Sequence, residues 1–367
     1  MTAHPLPPRP ESTPAPVPAG ALPPSAPASA ARRRTAALVL SAAVLAGAAG
    51  GAVGAAVAPD NAPPPVADST TAVRTSAAGD VADVAAEVLP SVVSISVRSS
   101  SGSGSGSGVV LDEAGHVLTN DHVVAPGANG EIAVLLSDGR SGDARIVGTD
   151  PVTDLAVLEV DVDGGLTPIA LGRSADVAVG DAVLAVGSPL GLDGTVTTGI
   201  ISALDRTVRT NPESPLLGAL QTDAAINPGN SGGALVDAAG RLIGINTAIS
   251  STSGGSIGLG FAIPVDQARS VAEELIRTGR ATHPSLGVAA TTVSDGALLQ
   301  QVPADSAAAE AGLQAGDVVT SVDADAVTSV DELVLALRER GVDEPVEVTY
   351  LRREQERTAQ VLLRDRV

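Results

Sequence analysis

Ser231 lies in the run Asn227-Pro228-Gly229-Asn230-Ser231-Gly232-Gly233. A serine hydroxyl is a weak nucleophile until a neighbouring base takes its proton. Acyl transfer also needs backbone N–H donors aimed at the developing oxyanion, and glycines let a tight loop supply them. Taken alone, the run fits a glycine-rich hairpin turn equally well. A base would have to come from four histidines. His4 lies in a proline-rich leader, His116 follows a turn at Gly115, and His283 precedes Pro284. His122, in Leu118-Thr119-Asn120-Asp121-His122-Val123-Val124, ends an apolar strand, where a side chain can project into a cleft. In isolation it also fits an ordinary surface or core role. The orienting carboxylate is best sought at Asp154, which opens the apolar strand Leu155-Ala156-Val157. It also fits a plain strand-entry turn, as Asp150 and Asp161 do.

Composition removes other chemistries. Of 367 residues, all 22 basic ones are arginine and none is cysteine, so lysine nucleophiles, thiol chemistry, disulfides and thiolate metal sites are excluded. No cofactor is implied. The net charge is −20 and aromatics make up 1% of the chain, which leaves neither a basic stripe nor stacking rings, so nucleic acid is not an expected partner. The core must be aliphatic.

These residues need a scaffold. Residues 1–34, with ten of the 26 prolines, cannot bury enough apolar surface to order, and are expected to be a disordered cytoplasmic segment. Arg32, Arg33 and Arg34 precede an uncharged stretch, 35–58, whose 24 residues suffice for a bilayer-spanning helix. The arginines predict a single-pass membrane anchor with the remainder extracytoplasmic. A secretory signal cleaved after Ala56-Val57-Ala58, giving a soluble secreted protein, is the alternative. Residues 59–79 read as a linker. From residue 80 to about 280 come a short helix at Val81–Val88, many short strand candidates and a closing helix, Pro264–Arg280. The strand candidates are Val92–Val97, Gly108–Leu111, His116–Asn120, Ile132–Leu136, Leu155–Asp161, Ala182–Val186, Val196–Leu204, Gly233–Val236 and Leu242–Ile249. Turn residues punctuate them as in an antiparallel barrel or sandwich. The Ser-Gly run at Ser99–Gly108 reads as a flexible loop, and Asp161–Gly164 as a turn lacking a calcium ligand set. Residues 281–367 form a small α+β module with a helix at Ser329–Arg340, where Ser329 and Glu332 suit a capping box.

His122, Asp154 and Ser231 run in the chain order of the chymotrypsin type, unlike subtilisin or the α/β-hydrolases. The blocks TNDHVV, DPVTDLAVL, GSPLGLDGTVTTGIISAL, QTDAAINPGNSGGAL, GRLIGINTAI and GFAIP resemble, in order, the protease domain of the HtrA/Deg serine proteases across nearly all of residues 86–275. The resemblance implies a mainly β fold: a chymotrypsin-like pair of six-stranded barrels, His122 and Asp154 from the first and Ser231 from the second. It implies peptide-bond hydrolysis through an acyl-enzyme, with oxyanion donors from Gly229 and Ser231. It places Ile226 and Ile249 in an apolar specificity pocket, and a regulatory sensor loop at Arg206–Gly218 with Arg206 at its arginine position.

The C-terminal module resembles the PDZ domain that follows the protease in this family. Leu286, Gly287 and Val288 align with its carboxylate-binding loop, and Ala311–Val319 with its helix–turn–strand signature. Peptide C-termini would add there as a strand beside the 329–340 helix. Asp323-Ala324-Asp325 stands where the family commonly has a glycine-containing turn. The aromatic residues through which many members trimerise are absent, so a homo-oligomer would need aliphatic contacts. The expected function is that of a membrane-anchored serine endopeptidase acting on misfolded or exposed polypeptides in protein quality control. A non-catalytic PDZ-containing receptor or chaperone with a misarranged triad is the alternative.

Overall fold

The computed structural model describes residues 81–100, 102–127, 130–188, 194–208, 215–249, 256–338 and 340–366. The leader, the expected membrane helix at 35–58 and the linker at 59–79 lie outside the described residues. Among those described, no helix is long and apolar enough to cross a membrane. All described residues belong to one compact unit.

After helix α1 (Val81–Val88), six strands close the first barrel: β1 (Val92–Ser99), β2 (Gly102–Val110), β3 (His116–Thr119), β4 (Glu131–Leu135), β5 (Ser141–Asp150) and β6 (Leu155–Asp161). The second consists of β7 (Ala182–Gly187), β8 (Thr195–Val208), β9 (Leu216–Thr222), β10 (Ala234–Asp237), β11 (Leu242–Ile249) and β12 (Gly260–Pro264). Both have the same circuit. The first three strands and the last three each form a meander, joined through the first–fourth and third–sixth pairs. The continuous apolar runs follow from two-sided burial. Ala156 and Leu158 face the first barrel's interior cluster, whereas Leu155 and Val157 join the cluster between the barrels. On β7, Val183 and Ala185 point into the second barrel while Leu184 and Val186 meet the first. Alternation with period two therefore gives each strand two apolar faces.

The Ser-Gly run expected to be a flexible loop is instead β2, paired residue for residue with β1 from Ser99↔Gly102 to Val92↔Val109. Glycine's weak strand propensity is overridden because this strand needs no side chains on one face: a Cβ on Gly106 would lie 2.7 Å from Val123 and one on Gly108 2.5 Å from Val117. Three strands had no counterpart in the sequence reading. In β5 the glycines and aspartates of SGDARIVGTD imitate a loop, yet the strand is held on both sides by β4 and β6. In β9 and β12 an internal or terminal glycine and a terminal proline shorten the apolar pattern.

Helix α2 (Asp121–Val124) is a single turn after β3. Helix α3 (Val265–Thr278) ends at Gly279, whose φ of 78° forms a left-handed cap. The C-terminal module follows: β13 (Pro284–Ser285) pairs with β20 (Arg364–Asp365), and β14 (Ala289–Val293), β15 (Gly296–Gln301), β16 (Val318–Val322), β18 (Pro345–Arg352) and β19 (Gln355–Leu362) form an antiparallel sheet that β17 (Asp325–Ala326) joins at β16. Helices α4 (Ala307–Glu310) and α5 (Val330–Arg338) contribute to its core. The capping box is half formed: Glu332 N–H donates to Ser329 Oγ at 3.1 Å, but the Glu332 carboxylate receives Thr328 N–H and Oγ–H, both at 2.7 Å. Asp323 holds the left-handed turn (φ 50°) without glycine, its carboxylate accepting from Glu347 N–H at 2.9 Å and Arg340 Nε at 3.2 Å.

Candidate active site

His122 reaches the cleft because α2 buries its neighbours. Val123 and Val124 are in the first barrel's core, so the intervening helical geometry turns the imidazole outward. Asp154 comes to it from the β5–β6 turn with φ 58°, a left-handed conformation that aspartate tolerates better than bulky residues. Its main-chain carbonyl accepts from Asn120 Nδ2 at 2.8 Å, and its carboxylate accepts the His122 N–H at 3.1 Å. His122 Nδ1 lies 2.9 Å from both carboxylate oxygens, which places the ring proton on Nδ1 and leaves the Nε2 lone pair for the cleft.

Partial burial pulls the His122 pKa down. The Asp154 hydrogen bond, the Asp154 charge and that of Asp121 outweigh it, so the imidazole titrates above its usual 6.5. Asp121 is itself pushed up to about 6 by burial and by repulsion from Asp154 and Asp150, against the attraction of His122.

Ser231 follows a turn that the sequence dictates. Asn230 N–H donates to Asn227 C=O at 2.9 Å across Pro228 and Gly229, and Gly229 has φ 102°. Proline followed by a positive-φ glycine is the signature of a type II turn. Among the described residues, neither the Gly229 nor the Ser231 N–H is committed to another hydrogen bond, so both remain available to a ligand oxygen. The Ser231 hydroxyl donates to the Thr247 main-chain carbonyl at 3.1 Å. No hydrogen bond joins it to His122 among the described residues.

Thr247 escaped the sequence reading. Its Oγ1 donates to Asp154 Oδ2 at 2.6 Å, linking β11 of the second barrel to the carboxylate of the first. Only its place inside the GRLIGINTAI block could have drawn notice, since a threonine on an apolar strand looks like any other β-former. Hydrogen bonds thus link His122, Asp154, Thr247 and Ser231 in one chain that runs from the first barrel to the second.

The remaining candidates fall elsewhere. Ile226 is only 1% exposed, packed in the second barrel's interior against residues such as Ile201 and Leu235, not displayed in an open cleft. Ile249 ends β11 opposite Gly260, and its side chain lies outside the described residues. Arg206 stands on strand β8, paired with Ala219, and its Nε donates to Gln221 Oε1 at 3.0 Å. The expected sensor loop is accordingly the end of a long β8–β9 hairpin whose tip, 209–214, lies outside the described residues.

In the C-terminal module, Leu286, Gly287 and Val288 connect β13 to β14, the edge strand of its sheet. Leu286 is buried, and Gly287 (φ 72°) donates its N–H to Ser285 Oγ at 2.9 Å. Helix α5 touches both this edge strand, through Val330 N–H to Thr292 Oγ1 at 3.1 Å, and the protease hairpin, through Arg338 Nη1 to the Leu217 carbonyl at 3.3 Å. At the junction His283 Nε2 lies 2.8 Å from the buried carboxylate of Asp150, four residues before Asp154. Among the described residues no group of side chains could hold a metal ion.

Residues 106–245 match a trypsin-like peptidase domain and residues 284–363 a PDZ domain. The chain is 48% identical over 292 residues to the serine protease PepD of Mycobacterium tuberculosis, covering 74% of this chain and 63% of that one. It is 43% identical over 235 residues to the periplasmic serine endoprotease DegP of Escherichia coli, covering 60% and 49%. The chain therefore spans about half to two thirds of the length of these curated relatives. Among solved structures, the HtrA-type protease AlgW with a tripeptide superposes with a TM-score of 0.70 at 38% identity over 79% of this chain and 98% of that one. The two barrels and the C-terminal module together with these likenesses lead to one conclusion: the chain belongs to the HtrA/Deg family of trypsin-like serine proteases with a C-terminal PDZ domain.

Proposed function

We propose that the chain is a serine endopeptidase that hydrolyses peptide bonds of misfolded or exposed polypeptides, with Ser231 as nucleophile, His122 as base and Asp154 as the orienting carboxylate. The observation that carries this reading is the 2.9 Å contact between His122 Nδ1 and Asp154, whose carboxylate is tied through Thr247 to the Ser231 hydroxyl beside two uncommitted N–H groups. For reaction, the Ser231 hydroxyl must leave the Thr247 carbonyl and turn to His122 Nε2. Its proton passes to Nε2 as Oγ attacks the scissile carbonyl carbon, and the negative charge on that oxygen falls to the Gly229 and Ser231 N–H groups. The imidazolium, held by Asp154, returns the proton to the leaving amine. Water then repeats the sequence on the acyl-enzyme and frees Ser231. A fluorophosphonate probe and casein hydrolysis on the full chain, beside Ser231→Ala, test the assignment: labelling and cleavage lost in the variant are expected, and equal activity in both rejects it.

One observation favours a second reading, a PDZ-containing receptor or chaperone without turnover: the Ser231 hydroxyl points to Thr247 and not to His122. Absence of probe labelling with intact binding of unfolded protein supports that reading.

In the proposal, peptide C-termini bind at Leu286–Val288 and add as a strand to the β14 edge beside α5. The Arg338 contact with Leu217 supports a link from that groove to the β8–β9 hairpin. Peptides with apolar C-termini then raise turnover; a flat response despite measurable binding rejects the link. Residues 35–58 tether the protein to a bilayer with the catalytic domain extracytoplasmic, which membrane fractionation with tags at both ends tests.

A further inference from the structure

Ser107 is the last serine of the Ser-Gly run and is fully buried. Its hydroxyl donates to the Gly229 carbonyl at 2.6 Å and accepts the Ser188 N–H at 2.8 Å. Its own N–H donates to the Ser231 carbonyl at 2.8 Å. One residue of the first barrel thus grips both ends of the Gly229–Ser231 segment of the second. Because the Ser188 N–H fills a lone pair on the hydroxyl, the single Ser107 Oγ proton is directed at Gly229.

The grip matters because of where glycine stands. The Pro228–Gly229 peptide carries one of the two N–H groups assigned to the oxyanion. Glycine's wide conformational range would let that peptide flip from type II to type I geometry, swinging the N–H away. Peptide planes are rigid, so the two contacts fix the Gly229–Asn230 plane and the Ser231–Gly232 plane by their carbonyls, which are the planes directly following the two donor N–H groups, and so restrict how far each donor can swing. We propose that Ser107 is a positioning residue for the oxyanion donors, holding the Gly229–Ser231 backbone in the geometry that stabilises the tetrahedral intermediate. This rests on the reading of Ser231 as nucleophile.

The test uses the full-length chain and its Ser107→Ala variant, with a peptide substrate and a peptide boronic acid whose serine adduct mimics the tetrahedral intermediate. Substrate turnover and boronate binding by the unmodified chain test the parent reading first; failure there removes that reading and not only this one. Given an active parent, Ser107→Ala is expected to lower kcat about 10–100-fold, less than the roughly 10²–10³-fold of outright donor loss because the N–H groups are loosened and not removed, with KM within about twofold. Boronate affinity should fall by a similar factor. A purely structural role would not produce that matched loss in a folded variant. Unchanged kcat, or a kcat loss with unchanged boronate affinity, overturns the proposal. Should the alanine variant fail to fold, Ser107→Cys, which keeps a weak donor in place, should give a smaller loss of the same kind; kcat at the parent level overturns the proposal.

Discussion

The Ser231 hydroxyl and the Thr247 carbonyl are 3.1 Å apart, so the candidate nucleophile directs its proton to strand β11 and not to the imidazole. The same threonine donates its side-chain proton to Asp154 at 2.6 Å. One residue thereby touches both ends of the proposed triad: its carbonyl accepts from the serine hydroxyl, while its hydroxyl donates to the carboxylate that contacts His122.

Replacing Thr247 with valine separates the two. The carbonyl stays and the donor to Asp154 goes, leaving a partly buried carboxylate oxygen short of one hydrogen bond, a loss of about 1–3 kcal/mol. We expect kcat/KM to fall roughly 5–150-fold, the rate equivalent of that range, mostly in kcat because the group removed lies behind the proposed base. Steady-state kinetics on a chromogenic peptide will check it; a rise confined to KM would contradict it.

Activity should rise with pH as His122 loses its proton, since only the neutral ring can accept one from Ser231. The raised pKa puts the midpoint of kcat/KM above 6.5. Asp154→Asn removes the largest upward influence and leaves burial, so the midpoint moves down while kcat falls about 10⁴-fold. Asp121 offers a stability test with its sign fixed. Its pKa rises on folding to about 6, so ionising it penalises the folded state; the penalty is absent below about pH 4, grows to pH 6 and is constant above. Asp121→Asn should therefore raise stability at pH 7.5 by on the order of 1 kcal/mol, after allowance for solvent screening, and by nothing at pH 3.5. Denaturant melts at the two pH values decide it.

How much of this was legible beforehand differs by residue. Strands buried on both faces announced themselves: Leu155–Asp161 and Leu242–Ile249 were bounded to the residue, because continuous β-branched and leucine runs have few other uses. The sequence order of His122, Asp154 and Ser231 could be read, but the direction of the serine hydroxyl could not, since it depends on a carbonyl sixteen positions away. Ser107 was hidden for the opposite reason. Its neighbours' glycines signal flexibility locally, and only the approach of α2 and the nucleophile turn converts them into a strand. Likewise, nothing near His283 advertises a partner 133 residues earlier.

That partner carries the next prediction. Asp150 is buried, which raises its pKa, but the hydrogen bonds from His283, Thr153 and the Val152 N–H, with the charge of His283, pull it below 3.8 overall. A carboxylate whose pKa falls on folding stabilises the fold above its unfolded value near 4, and that stabilisation disappears as pH drops through the folded value. Asp150→Asn should cost about 1–3 kcal/mol at pH 7 and progressively less below pH 4. Urea denaturation across that range, with fitted midpoints for both chains, tests the sign; a constant difference at every pH would assign the loss to packing alone.

The glycines of β2 supply the last test, because they are not equivalent. A Cβ on Gly106 would lie 2.7 and 2.8 Å from the two methyls of Val123 and 3.0 Å from the Ser231 carbonyl, so alanine there must push α2, which carries His122, away from the turn that carries Ser231. At Gly104 the nearest atoms are the Val123 carbonyl at 3.1 Å and Pro126 at 3.6 Å, a crowding that a small shift relieves. Overpacking of a tight contact costs about 1–3 kcal/mol. Gly106→Ala should therefore lose that much stability and at least about tenfold in kcat/KM, since small displacements of reacting groups reduce rate steeply. Gly104→Ala should keep kcat/KM within about threefold. If both variants behaved alike, the run would be serving as a pliable connection, and the close approach of β2 to the two catalytic segments would not matter for turnover.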